Sequence, residues 1–171
     1  RAPPPRAPAR ARAAAAGVRN VVFMGMGEPL NNYGAVRAAL AAMTDVARGA
    51  LAPGHVCVST VGVVEKMYAL TAECPAVNLA LSLHAPNQAL RATLVPAARD
   101  VPIDRLLAAL DDHLARAKRR TVTTKGAMVE YILLAGVNDR PEHADELGAL
   151  LARRDVVLNL IPFNPTIAVF S

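Results

Sequence analysis

The nine residues VNLALSLHA (77–85) are the middle one of five short apolar runs, and they carry the clearest signal of the fold. A run of this length, nearly continuous in apolar residues, is typical of a strand that is covered on both faces. The other four runs are NVVFMG (20–25), HVCVSTVG (55–62), AMVEYILL (127–134) and VVLNLIPFN (156–164). The sequence therefore predicts five buried strands.

Amphipathic segments separate these runs. Apolar residues recur at helical spacing from Ala35 to Val46 and from Val64 to Leu70, and a longer stripe runs from Ile103 to Leu114. The segment Asp139–Glu142 places a capping residue, a proline and a carboxylate at the start of a helix predicted over 141–153.

The resulting order, β-α-β-α-β-α-β-α-β, predicts an α/β fold with a parallel sheet and right-handed crossovers. Five strands are too few to close an eight-stranded barrel. Periodicity alone leaves two architectures open, a doubly wound open sheet and an arc of a (β/α) barrel.

The chain has 171 residues and a mass of 18.0 kDa, enough for one domain with a buried core. Hydrophobic residues make up 53% and aromatic residues only 4%, so we expect a core of Ala, Leu and Val. This composition excludes wholesale disorder, and two cysteines are too few to hold a secreted disulfide scaffold together. No apolar run reaches the roughly 18 residues that a membrane span requires.

The net charge of +5 is concentrated at the N-terminus. Residues 1–16, RAPPPRAPARARAAAA, contain four arginines and no acidic residue, and the rest of the chain holds 15 basic against 14 acidic residues. We interpret residues 1–17 as a disordered, low-complexity arm, because a Pro/Ala/Arg segment has no apolar periodicity to bury. Residues 18–171 form the predicted domain. Two other interpretations of the arm stay open, an organellar transit peptide and the compositional bias of an Arg- and Ala-rich genome.

Polar residues gather where the predicted strands end. These segments are Met24–Pro29, Ser59–Gly62, Ser82–Asn87 and Pro162–Pro165. Each segment alone is compatible with an ordinary turn, and the first is not a dinucleotide-binding G-x-G-x-x-G pattern because Leu30 stands at the third glycine. The carboxyl ends of parallel strands meet at one edge, so the four segments together predict a shared ligand site.

Five segments, MGMGEPLNNY, VSTVGVV, LALSLHAPN, VEYILLAGVND and NLIPFNP, resemble in order and spacing the central part of the RlmN/Cfr family. This family consists of radical S-adenosylmethionine (SAM) methyltransferases that modify C2 of an adenine in large-subunit ribosomal RNA and, in some members, tRNA. The resemblance covers about residues 19 to 168. It implies a partial (β/α)6 TIM-like barrel and ribosomal RNA and tRNA as partners. Apart from the resemblance, we expect no membrane association, and the sequence gives no evidence for an oligomer.

The resemblance also implies which residues contact SAM. The matching positions are Gly27, Glu28, Ser59, Ser82, Leu83, His84 and Asn164. In the family, the carboxylate and backbone of the G-E-P motif hold the SAM amino group, and the asparagine lies near the adenosyl moiety. SAM presents an ammonium group, a carboxylate, ribose hydroxyls and an adenine, which neutral polar groups and one carboxylate can satisfy.

The family also binds a [4Fe–4S] cluster through a C-x-x-x-C-x-x-C motif and uses two further cysteines to transfer the methyl group. This chain contains only Cys57 and Cys74, outside any such motif, and cluster ligation needs thiolates at close spacing. We interpret Cys57 as a small apolar strand residue and expect neither a metal site nor a catalytic cysteine. We therefore expect a fragment that is inactive alone. The alternative is a non-catalytic SAM- or RNA-binding remnant, and both a cytoplasmic and an organellar location stay open.

A basic stretch follows the helix that begins near Ile103. It comprises Arg116, Lys118, Arg119, Arg120 and Lys125. These cations could contact RNA phosphates, or they could form a solvated helix C-terminus that the helix dipole favours. The lack of interleaved aromatic residues favours the second interpretation.

Overall fold

The computed structural model describes residues 17–48, 50–118 and 126–164. Within these ranges, five strands form one sheet whose spatial order follows the chain. The strands are β1 (Val21–Phe23), β2 (Val56–Thr60), β3 (Asn78–Ser82), β4 (Ala127–Leu133) and β5 (Val157–Pro162). Every neighbouring pair is parallel, which confirms the predicted α/β fold with five parallel strands.

Five α-helices connect these strands in the described residues. They are α1 (Tyr33–Thr44), α2 (Val64–Glu73), α3 (Gln88–Leu94), α4 (Ile103–Lys118) and α5 (Pro141–Leu151). Periodicity predicts four of them and misses α3, because seven residues are too few for a helical stripe to be recognised.

The predicted cap of α5 is wrong. Arg140 is the N-cap residue and makes no side-chain cap hydrogen bond. The Asp139 carboxylate instead accepts a hydrogen bond from the Gly136 backbone N–H, at 2.9 Å, within the preceding turn. The unpredicted helix α3 does have a cap, since Asn87 Oδ1 accepts from the Leu90 N–H at 3.0 Å.

The two faces of the sheet are covered unequally. β3 is buried at three successive positions, but buried and half-buried residues alternate along β2, and β5 is largely exposed. The prediction that all strands are covered on both faces is therefore wrong outside the central strand. Alternation and register place Cys57, Ser59, Ser82 and Glu130 on the same half-buried face, which we call the open face.

The core lies on the opposite face, between the sheet and the helices. It consists mainly of Leu, Val and Ala, and the predicted stripe of α4 is confirmed because Leu106, Leu107, Leu110 and Leu114 are all buried. Thr71 of α2 and His113 of α4 join these two helices through a buried hydrogen bond of 2.9 Å. The bond gives the Thr71 hydroxyl and His113 Nδ1 a partner that each would lack if it were buried alone.

Two basic regions of the sequence fall largely outside this description. Residues 1–16 of the predicted arm lie outside the described residues. In the basic stretch, Arg116 pairs with Asp112, one helical turn earlier, at 3.2 Å. The Lys118 side chain and residues 119–125 lie outside the described part of the chain. Within the described part of the chain, no helix has the length and apolarity to cross a membrane.

Candidate functional site

A cleft opens where the first four strands end, at the carboxyl edge of the sheet. Its volume is about 340 Å³. Among the residues that line it are Gly27, Glu28, Ser59, Ser82, His84 and Glu130. Five of the seven residues predicted to contact SAM thus lie together, and Glu130 joins them from β4.

Glu28 links the ends of β1 and β2. Its Oε1 accepts a hydrogen bond from the Leu30 N–H at 2.8 Å, which caps the 3-10 turn Pro29–Asn32, and its Oε2 accepts from the Val61 N–H at 2.7 Å. The preceding Gly27 has φ +88°, a left-handed conformation that glycine adopts without strain. The carboxylate is therefore fixed at the wall of the cleft by two backbone donors.

Arg91 holds the backbone of the same residue, Val61, at its carbonyl group. This fully buried side chain of α3 donates from Nη2 to the Val61 carbonyl at 2.6 Å. Among the described residues its Nε and Nη1 have no hydrogen-bond partner, and burial lowers the pKa of Arg91 to about 10. Sequence reasoning missed this residue, because an arginine in a short segment after a strand gives no signal of burial.

Glu130 is the centre of the polar group on the open face. Its Oε2 accepts hydrogen bonds from Ser59 Oγ at 3.2 Å and from Ser82 Oγ at 3.3 Å, and the two serine oxygens are 3.5 Å apart. Sequence reasoning missed Glu130 as a site residue. The available signal was a single carboxylate inside the otherwise apolar run AMVEYILL, where an isolated charge needs a partner.

His84 follows β3 and has a φ of 60°, the left-handed region that non-glycine residues rarely occupy. Its Nδ1 lies 3.2 Å from the Ile132 N–H, which can only donate, so Nδ1 is the acceptor and Nε2 carries the proton. Burial, with a smaller effect of the Arg91 guanidinium, lowers the pKa of His84 to about 4. The side chain is thus a neutral donor at the cleft.

Asn138 holds His84 in this conformation. Its Nδ2 donates to the carbonyls of His84, at 2.8 Å, and Ile132, at 2.7 Å, and its Oδ1 accepts from the Leu134 N–H at 2.7 Å. The side chain is buried, and both its amide oxygen and its amide nitrogen form hydrogen bonds. It therefore ties the end of β3 to the end of β4.

Leu83 and Asn164 do not line the cleft. Leu83 is buried in the core, and its backbone N–H donates to the Glu130 carbonyl at 3.0 Å. Asn164 is exposed beyond the end of β5 and is the last described residue. Their assignment as SAM contacts stays a prediction.

The cleft is acidic. It contains the carboxylates of Glu28 and Glu130, and no lysine or arginine is among the described residues that line it. His84 does not compensate these charges, because it is neutral above about pH 4. The cleft is thus suited to a ligand that carries positive charge and hydrogen-bond donors.

Neither cysteine has the properties of a reactive thiol. Burial, together with the Glu130 carboxylate, raises the pKa of the Cys57 thiol to about 11. Burial also raises the pKa of Cys74, at the end of α2. Within the described ranges, no group of three or more His, Cys, Asp or Glu side chains is placed to hold a metal ion.

A second cavity, of about 380 Å³, lies beside α5 and β5. It is lined by apolar side chains such as Leu147, Leu158 and Leu160, and it contains none of the predicted site residues. Five of the predicted site residues therefore lie in the cleft at the strand ends, and none lies in this second cavity.

The fold and the position of the cleft define a class of protein. The crystal structure of a radical SAM methyltransferase from Sphaerobacter thermophilus matches this fold with a TM-score of 0.82 and 40% sequence identity, over 95% of this chain and 46% of that one. The five parallel strands are thus part of a TIM-like barrel of the radical SAM type.

Sequence comparison identifies the family within this class. The probable dual-specificity RNA methyltransferase RlmN 2 of Protochlamydia amoebophila is 44% identical over 148 residues, which are 86% of this chain and 40% of that protein. The probable dual-specificity RNA methyltransferase RlmN of Thermosynechococcus vestitus is 44% identical over 149 residues, 86% of this chain and 42% of the relative. The chain is therefore homologous, over most of its length, to the RlmN radical SAM RNA methyltransferases, which confirms the resemblance.

The chain spans about 40% of the length of these curated relatives. No family model matches it.

Proposed function

We propose that this chain is the SAM-binding part of an RlmN-type radical SAM methyltransferase, acting on C2 of an adenine in ribosomal RNA and in some tRNAs. One observation carries the proposal. Side chains from the ends of β1, β2 and β3 converge in a single cleft beside Glu130 of β4, and they include Glu28, Ser59, Ser82 and His84. These are positions at which the family's SAM contacts are expected.

The chemistry of the cleft fits SAM. The sulfonium and ammonium groups of SAM are positive, and the cleft supplies two carboxylates with no facing cation among the described residues. The neutral His84 offers its Nε2–H to an acceptor such as a carboxylate or a ring nitrogen. The volume of about 340 Å³ lies within the range of small-molecule sites, roughly 300–1,000 Å³.

The iron–sulfur cluster of the family does not fit the residues of this chain. A radical SAM cluster is held by closely spaced cysteine thiolates, and the sequence contains only Cys57 and Cys74. The two thiols have raised pKa values, which opposes the thiolate form that ligation requires. The proposal therefore assigns to these residues the binding and orientation of SAM, and no chemical step.

Isothermal titration of the chain with SAM tests the proposal. We expect saturable binding that is weakened by Ser82→Ala, which removes a hydroxyl from the cleft. Thr93→Ala is the matched control, because it removes an exposed hydroxyl of α3 that donates to the Ala89 carbonyl of the same helix. Absence of binding at millimolar SAM would overturn the proposal.

A second assay tests the assignment of the chemistry. We expect the chain alone to form no 2-methyladenosine in ribosomal RNA, even after treatment with iron and sulfide, because it supplies neither cluster ligands nor a methyl-carrying cysteine. Detection of 2-methyladenosine would contradict this expectation.

The cysteine content favours a second candidate function, a non-catalytic SAM- or RNA-binding remnant of the family. The two candidates differ in the sequence that flanks this chain in its transcript. An in-frame C-x-x-x-C-x-x-C segment upstream and a cysteine downstream would support the methyltransferase. Their absence from a complete transcript would support the remnant.

A further inference from the structure

Glu130 lies at the centre of the cleft but is not among the positions at which the family's SAM contacts were predicted. It belongs to β4, directly beside Ser82 of β3 in the sheet register. Its carboxylate is half-buried on the open face and lies beside the two serines that the sequence assigns to ligand binding. Its role toward the ligand follows from how its hydrogen bonds are arranged.

The two serine hydroxyls each have one proton, and each lies within hydrogen-bond distance of Glu130 Oε2, to which it can donate. Because Oε2 accepts from Ser59 Oγ and from Ser82 Oγ, the serine oxygens are left to act as acceptors toward anything else in the cleft. The carboxylate is itself acceptor-only when ionised. This subsite, consisting of Ser59, Ser82 and Glu130, therefore presents only acceptors and one negative charge.

None of the described residues that line the cleft is a cation that would neutralise that charge. The partners of Glu130 are neutral hydroxyls, whereas both oxygens of Glu28 are already occupied by backbone N–H donors. No lysine or arginine is found among the described lining residues. A carboxylate that is partly removed from water is stabilised most by a ligand of opposite charge.

We propose that Glu130, through this subsite, is a specificity-determining residue that selects the positively charged sulfonium SAM over its neutral thioether product, S-adenosylhomocysteine. The inference rests on the proposed function. The two ligands share the adenine, ribose and amino-acid groups and differ by one methyl group and one positive charge. A negatively charged subsite in a partly desolvated cleft distinguishes them by charge, and the rest of the cleft binds what they share.

The test compares the dissociation constants of SAM and S-adenosylhomocysteine for the whole chain and for Glu130→Gln. Glutamine keeps the size of the side chain and removes the charge. We expect the variant to bind SAM about tenfold more weakly and S-adenosylhomocysteine within about twofold of the parent chain. Glu142→Gln is the matched control, since it removes an exposed carboxylate from the first turn of α5, and it should change neither constant.

The double variant Ser59→Ala, Ser82→Ala separates charge from hydrogen bonding. It keeps the carboxylate, so we expect it to weaken the binding of both ligands by a similar factor. The ratio of their dissociation constants should stay unchanged. Circular dichroism establishes that each variant is folded. Should Glu130→Gln fail to fold, raising the salt concentration on the parent chain provides the same comparison, because screening should weaken SAM binding and spare S-adenosylhomocysteine.

The outcomes distinguish the inference from the proposed function. The role of Glu130 would be overturned if the parent chain bound the two ligands with equal affinity, or if Glu130→Gln lost affinity for both by the same factor. Either result would leave the proposed binding of SAM intact. Failure of the parent chain to bind either ligand would overturn the proposed function itself.

Discussion

Single residues at the strand ends determine how the cleft is held together, and Asn138 is the clearest case. Its buried amide satisfies two carbonyls and one N–H from three different residues. The backbone carbonyl of Asn138 accepts a hydrogen bond from the Tyr131 hydroxyl at 2.8 Å. A buried backbone group that loses its partner costs about 1–3 kcal/mol, so the amide has a large effect for its size.

Replacing Asn138 with Ala should lower the free energy of unfolding by about 3 kcal/mol, because the partly buried carbonyls of His84 and Ile132 lose their donor. Urea denaturation measures the change. Asn31→Ala, at an exposed position in the first 3-10 turn, is the control and should stay within about 0.5 kcal/mol of the parent chain. A loss no larger than the control's would show that water replaces the amide.

The pH dependence of stability should depend on His84. Its folded pKa of about 4 is below the ordinary value of 6.5, so the unfolded chain binds the proton first as the pH falls. The stability present above pH 6.5 is therefore lost between pH 6.5 and 4, by up to about 3 kcal/mol for this residue. Burial lowers the pKa of His113 as well, and its contribution has the same sign.

Replacing His84 with Asn isolates this contribution. Asparagine tolerates the left-handed backbone at φ 60° and can still accept from the Ile132 N–H. We expect melting temperatures measured between pH 7 and pH 4 to fall less steeply for the variant than for the parent chain. Parallel curves would mean that His84 titrates normally in the folded chain.

The site was only partly predictable from single residues. Gly27, Glu28, Ser59, Ser82 and His84 stand at strand ends, where position alone indicates a ligand site, and the structure brings them together. Glu130 and Arg91 do not stand at strand ends in the sequence. Their roles depend on which side chains face them across the sheet or from a neighbouring helix, which no local pattern encodes.

At the scale of elements, the turn from β2 into α2 connects the cleft to the core. Gly62 lies in this turn with φ +112°, and a Cβ built there would be 2.6 Å from Leu106 Cδ1 of α4. The backbone of the preceding Val61 is held at its N–H by Glu28 and at its carbonyl by Arg91. A change at Gly62 therefore affects both the packing of α4 and the wall of the cleft.

Replacing Gly62 with Ala should cost about 3 kcal/mol, since it combines backbone strain with overpacking against Leu106. A double-mutant cycle with Leu106→Ala tests the cause. Removing the leucine side chain relieves the overpacking but not the strain, so the double variant should be more stable than the sum of the single effects predicts. Simple additivity of the two losses would rule out the contact as the cause.

The elements themselves were predicted well where they are long or strongly periodic. All five strands and four helices lie where the apolar patterns indicate, with ends that differ by a few residues. The errors have physical causes. The helix α3 has only seven residues, too few for a periodic apolar pattern to be recognised. Asp139 accepts a hydrogen bond from Gly136 instead of capping α5, because an aspartate can bond to either of two nearby backbone segments.

At the scale of the whole molecule, charge and fold are separated along the chain. Four arginines of the first 16 residues account for most of the net charge of +5, and the remaining residues are nearly balanced. Any general attraction to RNA should therefore come from the arm, whereas the cleft is acidic. Selectivity for an RNA site would have to come from elsewhere in the protein's surface.

Deleting residues 1–17 tests this separation. We expect the melting temperature to change little, because the deletion removes no described core residue. For binding to an RNA oligonucleotide, the slope of log K against log salt concentration should become shallower by up to about 3 units. The reason is that four arginines no longer displace counterions from the RNA. An unchanged slope would instead implicate the basic stretch around Arg116.

The sequential order of the sheet has a consequence for how the protein is made. Each strand pairs only with the strands before and after it in the chain, so β1 and β2 can dock with α1 before any later segment exists. A chain leaving the ribosome would add one βα unit at a time to a growing edge. The polar side chains of the cleft lie on or after the first three strands and β4, whereas β5 adds the apolar Ile161. We therefore expect the polar part of the binding pocket to form during synthesis, and β5 to complete its wall last.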